Sequence, residues 1–105
     1  MDAQLKKGIL ELAVIQEIAK RDMYGYDLAR DLGEYYTDVD IRAFYTILRR
    51  LSRKEYVITY EGQLSHGPTR KYYRITEKGR GYLSERMKEW EELKQIQSRL
   101  SDESQ

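Results

Sequence analysis

The chain has no cysteine, and one each of proline, histidine, tryptophan and phenylalanine. Without cysteine neither a disulfide nor a thiolate metal site can form, so we expect a protein of a reducing cytoplasm. The single imidazole, His66, cannot by itself build a usual zinc site or a Cys/His nucleophile pair. It falls in a Gly-flanked turn, where we expect an exposed residue or one that touches phosphate. No Gly-rich loop runs into Lys-Ser or Lys-Thr to cradle a nucleotide. No apolar run approaches the roughly 20 residues of a membrane span, and the N-terminal stretch lacks the apolar core of a secretion signal. Carboxylates are plentiful but stand beside Lys or Arg on charged faces, where solvated pairs are expected. We therefore expect no enzyme, no cofactor, no metal and no membrane contact.

The charge that is present is unevenly spread. The net charge is +1 over 105 residues, but residues 41–54 hold five basic side chains and no acidic one, and residues 69–82 hold five basic and one acidic. These basic blocks sit between acidic flanks. A local basic face, rather than the total, governs binding to a polyanion. Ordinary solvated faces are the plain alternative. A single domain of this size buries only about two-thirds of its unfolded surface, so a partner subunit would add considerably to stability.

Hydrophobic periodicity supplies the elements. Residues 4–20 read as a helix with two stripes, Leu5, Ile9, Leu12, Ile15 and Ala19 on one and Leu10, Val14 and Ile18 on the other. The surplus stripe makes this helix either central to the monomer or, the favoured reading in a chain short of core elsewhere, a face that docks on a second subunit. A short helix from Tyr24 to Leu32 is expected to end at Gly33 as C-cap, and Gly25 suggests close packing of two helices. Asp40 is a good N-cap for a helix to about Lys54. Its core side is Ile41, Phe44, Leu48 and Leu51; Arg42, Thr46, Arg49 and Arg53 lie on another face with no acid among them, and Arg50 is nearby. Residues 56–61 pair with 70–75 as a hairpin across the turn Gly62 to Pro68. At period two, Arg70, Tyr72 and Arg74 share a cationic face, and Lys71, Tyr73 and Ile75 a mostly apolar one. Thr76 then caps a long helix to about Leu100, followed by a polar tail. Leu83, Met87, Trp90, Leu93, Ile96 and Leu100 recur on it at a mean spacing near the 3.5 of a coiled-coil seam.

The expected fold is mainly α with a small β-hairpin (α+β): a winged helix-turn-helix over residues 1–75, and a C-terminal dimerisation helix with a short tail over 76–105. The wing is the hairpin. The stripe on the last helix calls for another copy of the chain.

Three stretches resemble the PadR-type transcriptional regulators: Tyr24-Gly25-Tyr26-Asp27-Leu28, Phe44-Tyr45-Thr46-Ile47-Leu48-Arg49-Arg50-Leu51, and Arg70-Lys71-Tyr72-Tyr73-Arg74-Ile75-Thr76-Glu77-Lys78-Gly79. The last is similar to the family's wing-to-helix signature almost unchanged. The resemblance implies a homodimeric repressor of the compact subfamily that dimerises through its single C-terminal helix and the first one. Similarity to the multidrug-sensing members implies release by a flat aromatic ligand held against a Trp of the last helix, here Trp90. Many members carry Gly-Thr-Leu-Tyr-Pro where this chain has Arg42-Ala43-Phe44-Tyr45-Thr46, which leaves the operator sequence open.

The expected DNA-binding residues are Arg42, Tyr45, Thr46, Arg49 and Arg53 in the major groove, and Arg70 and Lys71 on the wing. Tyr45 reads equally well as a packing residue. The expected partners are double-stranded DNA with a pseudo-palindromic operator, a second copy of the chain, and a planar aromatic molecule. Leu5, Ile9, Leu12, Met87 and Trp90 are the candidate ligand contacts, with Glu89, Glu91 and Glu92 favouring a cation. Trp90 reads equally well as a dimer-core anchor. A winged helix used for protein–protein contact, and unspecific binding of duplex RNA or DNA, are the rival classes.

Overall fold

The computed structural model describes residues 3–62 and 67–103. Its elements run α1 (Ala3–Lys20), β1 (Met23–Tyr24), α2 (Gly25–Tyr35), α3 (Ile41–Arg53), β2 (Val57–Gly62), β3 (Arg70–Ile75) and α4 (Glu77–Glu103). The sheet is antiparallel in the order β1-β3-β2. The expected two-stranded hairpin thus gains a third strand, two residues long, with Met23 opposite Tyr73 and Tyr24 opposite Tyr72. The turn residues 63–66, His66 among them, and the last two residues of the tail lie outside the described residues.

One core joins the first three helices to the sheet. Val14, Ile15, Ile18, Leu28, Phe44, Leu48, Leu51 and Val57 are essentially sealed from solvent. The expected core side of α3 holds at Phe44, Leu48 and Leu51, and Ile47 joins it. Ile41, at the first turn, is instead exposed. The two stripes of α1 divide: Leu10, Val14 and Ile18 are buried with Ile15, whereas Leu5 is 57% exposed.

Gly33 does not end α2. The helix continues to Tyr35, and Tyr36 closes it with its N–H bonded to the Leu32 carbonyl at 3.0 Å. No described glycine has a positive φ, so nothing here needs a left-handed C-cap. Gly25 does sit at a close contact: a Cβ there would lie 3.3 Å from the Tyr73 ring and 3.4 Å from the Tyr45 ring. It lets α2 approach both β3 and α3.

The turn from α3 to the wing is a Schellman motif. Tyr56 N–H bonds the Leu51 carbonyl and Glu55 N–H the Ser52 carbonyl, both at 3.0 Å. Glu55 takes the left-handed position usually given to glycine, with φ 64°.

The junction of wing and α4 is equally specific. The Thr76 hydroxyl accepts from Gly79 N–H at 2.9 Å, the expected N-cap bond, and donates to the Glu55 carbonyl at 2.7 Å. Thr76 N–H bonds the Tyr56 carbonyl at 3.0 Å. Gly79 packs so closely there that a Cβ would stand 2.0 Å from the Tyr56 oxygen. Tyr56 and Tyr82 stack with centroids 4.2 Å apart. The first turns of α4 pack on the domain. Leu83 packs on the core's edge, while Trp90, Leu93, Ile96 and Leu100 stay 38–54% exposed. The expected seam is therefore uncovered from Trp90 onward, but its first members, Leu83 and Met87, are partly covered by the chain itself.

Candidate nucleic-acid interface

The outward face of α3 forms an ordered polar ridge. Asp40 caps the helix by accepting from Arg42 N–H at 2.8 Å. The same carboxylate takes the Arg42 guanidinium, with Nη2 to Oδ2 at 2.7 Å. Hydrogen bonds from that guanidinium, then from the backbone N–H, hold the Asp40 carboxyl down at about 2. One turn on, the Thr46 hydroxyl donates to the Arg42 carbonyl at 3.1 Å and accepts from Arg49 Nη2 at 3.2 Å. Arg53 extends the ridge and is exposed. The expectation of an acid-free face holds at Arg49 and Arg53 and fails at Arg42, because the cap residue lies within reach.

Thr46, Arg49 and Arg53 share an open cleft with Lys71, Thr59 and Tyr73 of the wing. Arg70 is not part of it. Alternation puts Arg70 on the opposite face of the sheet, its guanidinium 4.9 Å above the Tyr24 ring. Tyr24, Tyr72 and Tyr60 form a row on that face. Arg74 ends the row over Tyr60 at 4.8 Å and pairs with Asp22 at 3.0 Å. Asp22 also accepts from the Tyr60 hydroxyl at 2.6 Å; that bond first, then Arg74, lowers its pKa. Arg74 is thus committed within the fold. Among the described residues no carboxylate comes within ion-pair distance of Arg49, Arg53, Arg70 or Lys71, although Glu61 faces Lys71 across the strands.

Tyr45 is half-buried, with its ring against Gly25. Burial first, then Tyr24 and Tyr26, raises its hydroxyl pKa. It also borders a second hollow with Arg49 and Lys71, so it packs and lines at once.

A separate groove of about 350 Å³ runs between α1 and α4. Leu5, Ile9, Leu12 and Trp90 line it together. Met87 does not; its sulfur accepts from Gln16 Nε2 at 3.4 Å, away from the groove. The groove floor holds groups that the periodicity did not single out. Glu11, buried, takes Arg50 Nη2 at 2.7 Å and the Tyr82 hydroxyl. Burial, and then the bond to Glu11, pushes the Tyr82 hydroxyl up to about 12. The only sequence signal for this trio is an acid at position 11, set between two apolar stripes. Glu89 pairs with Arg86 at 2.5 Å and Glu91 with Lys94 at 3.5 Å. Those acids are therefore paired within the chain rather than left open to attract a cation.

The fold is shared with known proteins. The model of the transcriptional regulator PadR-like family matches residues 12–85. A crystal structure of a Streptococcus transcriptional regulator superposes with TM-score 0.86 at 28% identity, covering 95% of this chain and 99% of that one. A PadR-like transcriptional regulator from Bacillus cereus gives TM-score 0.84 at 31% identity, over 93% of this chain and 96% of that one. An uncharacterized protein of Lysinibacillus sphaericus is 37% identical over 93 residues, 86% of this chain and 85% of its own. With the family model spanning most of the winged domain and the start of α4, the chain belongs to the PadR-like family of transcriptional regulators.

Proposed function

We propose that this chain is a homodimeric, sequence-specific DNA-binding repressor whose α3 enters the major groove while the wing contacts backbone or minor groove. The observation that carries the reading is the cleft where Thr46, Arg49, Arg53 and Lys71 meet. Cations with no carboxylate of the described residues within ion-pair distance, on two elements that converge, suit a phosphate-lined partner. In this reading Arg42 and Arg49 contact guanine or phosphate, Lys71 meets the backbone from the cleft, and Arg70 does so from the other face of the wing. Residues 1–75 form the DNA-binding unit, and 76–105 the dimerisation helix and tail.

The exposed Trp90, Leu93, Ile96 and Leu100 supply the dimer seam, with the open stripe of α1 in the same interface. Two-fold symmetry then gives a pseudo-palindromic operator with half-sites about one helical turn, or a multiple of it, apart. Selection of bound duplexes from a random pool tests binding, symmetry and spacing together. The double variant Arg42→Ala/Arg49→Ala is expected to lose the selected duplex; retention of normal binding removes the recognition-helix assignment. With roughly six to ten phosphate contacts per dimer, affinity falls by about 10³ to 10⁵ between 50 and 200 mM salt. A protein-docking winged helix would bind without that salt dependence and leave no footprint on DNA.

A second reading concerns the groove between α1 and α4, which is large enough for a small aromatic ligand. Trp90 forms one wall with Leu5, Ile9 and Leu12, and a partner subunit would close the open side. A planar aromatic molecule stacked there would release the repressor. Because Glu11 and Glu89 are already paired with arginines, a neutral planar ligand fits as well as a cationic one. Titration with neutral and cationic planar dyes, following the single Trp, decides: no quenching by any of them ends the pocket reading.

A further inference from the structure

We propose that Asp40 is a specificity-determining residue: by gripping one edge of the Arg42 guanidinium it leaves the other edge aimed outward to read guanine. The proposal rests on the DNA-binding reading above and deepens it.

The cap bond explains only one contact of Asp40. Its Oδ1 accepts the Arg42 backbone N–H, as an N-cap must. Beyond that, Arg42 Nε donates to Oδ1 at 3.1 Å and to Oδ2 at 3.2 Å, and Nη2 donates to Oδ2 at 2.7 Å. The carboxylate thus occupies the Nε edge of the guanidinium. The five donors of arginine form a rigid planar fork, so the Nη1 end and the second Nη2 hydrogen remain available. That end matches the paired O6 and N7 acceptors of guanine in the major groove.

Position agrees with chemistry. Recognition helices contact base edges through their N-terminal residues, and Arg42 is the second residue of α3. The Arg42 side chain is 87% exposed and that of Asp40 54%, so the clamp is open to a duplex. An exposed pair of this kind contributes little to stability. It does change what Arg42 can bind. A guanidinium already neutralised on one edge is a poor anchor for phosphate, and a carboxylate beside it repels the backbone. Arg49 and Arg53, which have no such partner among the described residues, are the phosphate-seeking members of the ridge. Asp40 thereby divides one basic face into a directional reader and general anchors.

The test uses a duplex selected from a random pool by the wild-type protein. Each guanine of a half-site is replaced in turn by 7-deazaguanine, which lacks the N7 acceptor. Affinities are measured for wild type, Asp40→Asn, Asp40→Ser and Arg42→Ala. Asn and Ser both keep the N-cap, and circular-dichroism melting checks that the helix is intact. Wild type is expected to lose about tenfold or more at one guanine per half-site, within the range for a bidentate contact. Arg42→Ala, Asp40→Asn and Asp40→Ser should all lose that discrimination. The two Asp40 variants should also hold random duplex more tightly, with a salt slope steeper by about 0.9 per released arginine.

Asp40 variants that keep wild-type discrimination and slope overturn the proposal. So does a loss at a guanine that Arg42→Ala leaves untouched. Failure of wild type to enrich any duplex would defeat the DNA-binding reading itself, and it would be seen before any Asp40 variant is made.

Discussion

Arg49 and Arg50 follow one another on α3, yet they serve opposite sides of the molecule. Arg49 lies on the outer ridge, bonded among the described residues to the neutral Thr46 hydroxyl, and faces the cleft shared with Lys71. Arg50, one helical step of about 100° away, turns under the domain to the buried carboxylate of Glu11. On the outer side, the positive charge of Arg49 and Arg53 faces solvent. In the groove, Glu11 with Arg50 and Glu89 with Arg86 balance one another within the chain. The difference shows how a helix of 13 residues can carry an open basic ridge and a structural tie at once. It also joins the two regions, because Glu11 and Tyr82 of the groove hold the inner flank of the same helix.

The largest expected effect that sharpens this contrast is on the outer side. Arg49→Ala/Arg53→Ala should weaken binding to all duplexes alike and reduce the salt slope by about 0.9 for each arginine removed. Its melting temperature should stay within a degree or two of wild type, since both side chains are exposed. A large drop in stability with binding intact would reverse the two assignments. Arg50→Ala should do the opposite. Stranding a buried carboxylate costs about 3–5 kcal/mol, and because Arg50 is 31% exposed we expect about 2–3 kcal/mol, read by urea unfolding. Duplex affinity per folded molecule should be little changed.

Leu93→Ser/Ile96→Ser tests whether the exposed part of α4 is a seam. Removing two apolar contacts of about 1.5–2 kcal/mol each should weaken self-association roughly 100-fold or more in analytical ultracentrifugation while the winged domain still melts cooperatively. An unchanged oligomeric state would place the interface elsewhere. The smallest effect is alkaline. Tyr82 has its pKa raised by the fold from about 10 to about 12, so the fold favours its neutral form. The resulting stability is fully present below pH 10 and is lost as pH rises toward 12. Tyr82→Phe should flatten stability over that window, and an unchanged profile would show that Tyr82 does not cause the loss.

Much of this was legible from residue spacing. Asp40 and Thr76 announced two helix starts, because a cap is a contact between near neighbours. The i, i+3, i+7 pattern placed Phe44, Leu48 and Leu51 inward and Arg49 and Arg53 outward, because helical period alone decides sides. The candidate groove was legible at Leu5, Ile9, Leu12 and Trp90 and misread at Met87, where a seam pattern says nothing about which neighbour Gln16 supplies. Gly33 looked like a helix stop, but α2 ends two residues later without a left-handed residue. The strand Met23–Tyr24 was invisible, since two residues carry no periodicity and exist as a strand only because Tyr72 and Tyr73 are there to pair with.

Local chemistry carried by the chain set the helices, the alternation of the wing and the outward ridge, since each depends on residues a few positions apart. The folded chain added what depends on distant partners meeting. It joined Glu11 to Arg50 and Tyr82 across three helices, tied Arg74 and Tyr60 to Asp22, and sent Lys71 toward α3 while Arg70 went over Tyr24. Periodicity says which way a side chain leaves the backbone. What it finds there is settled by packing, because burial and pairing are properties of neighbours that the linear order does not contain.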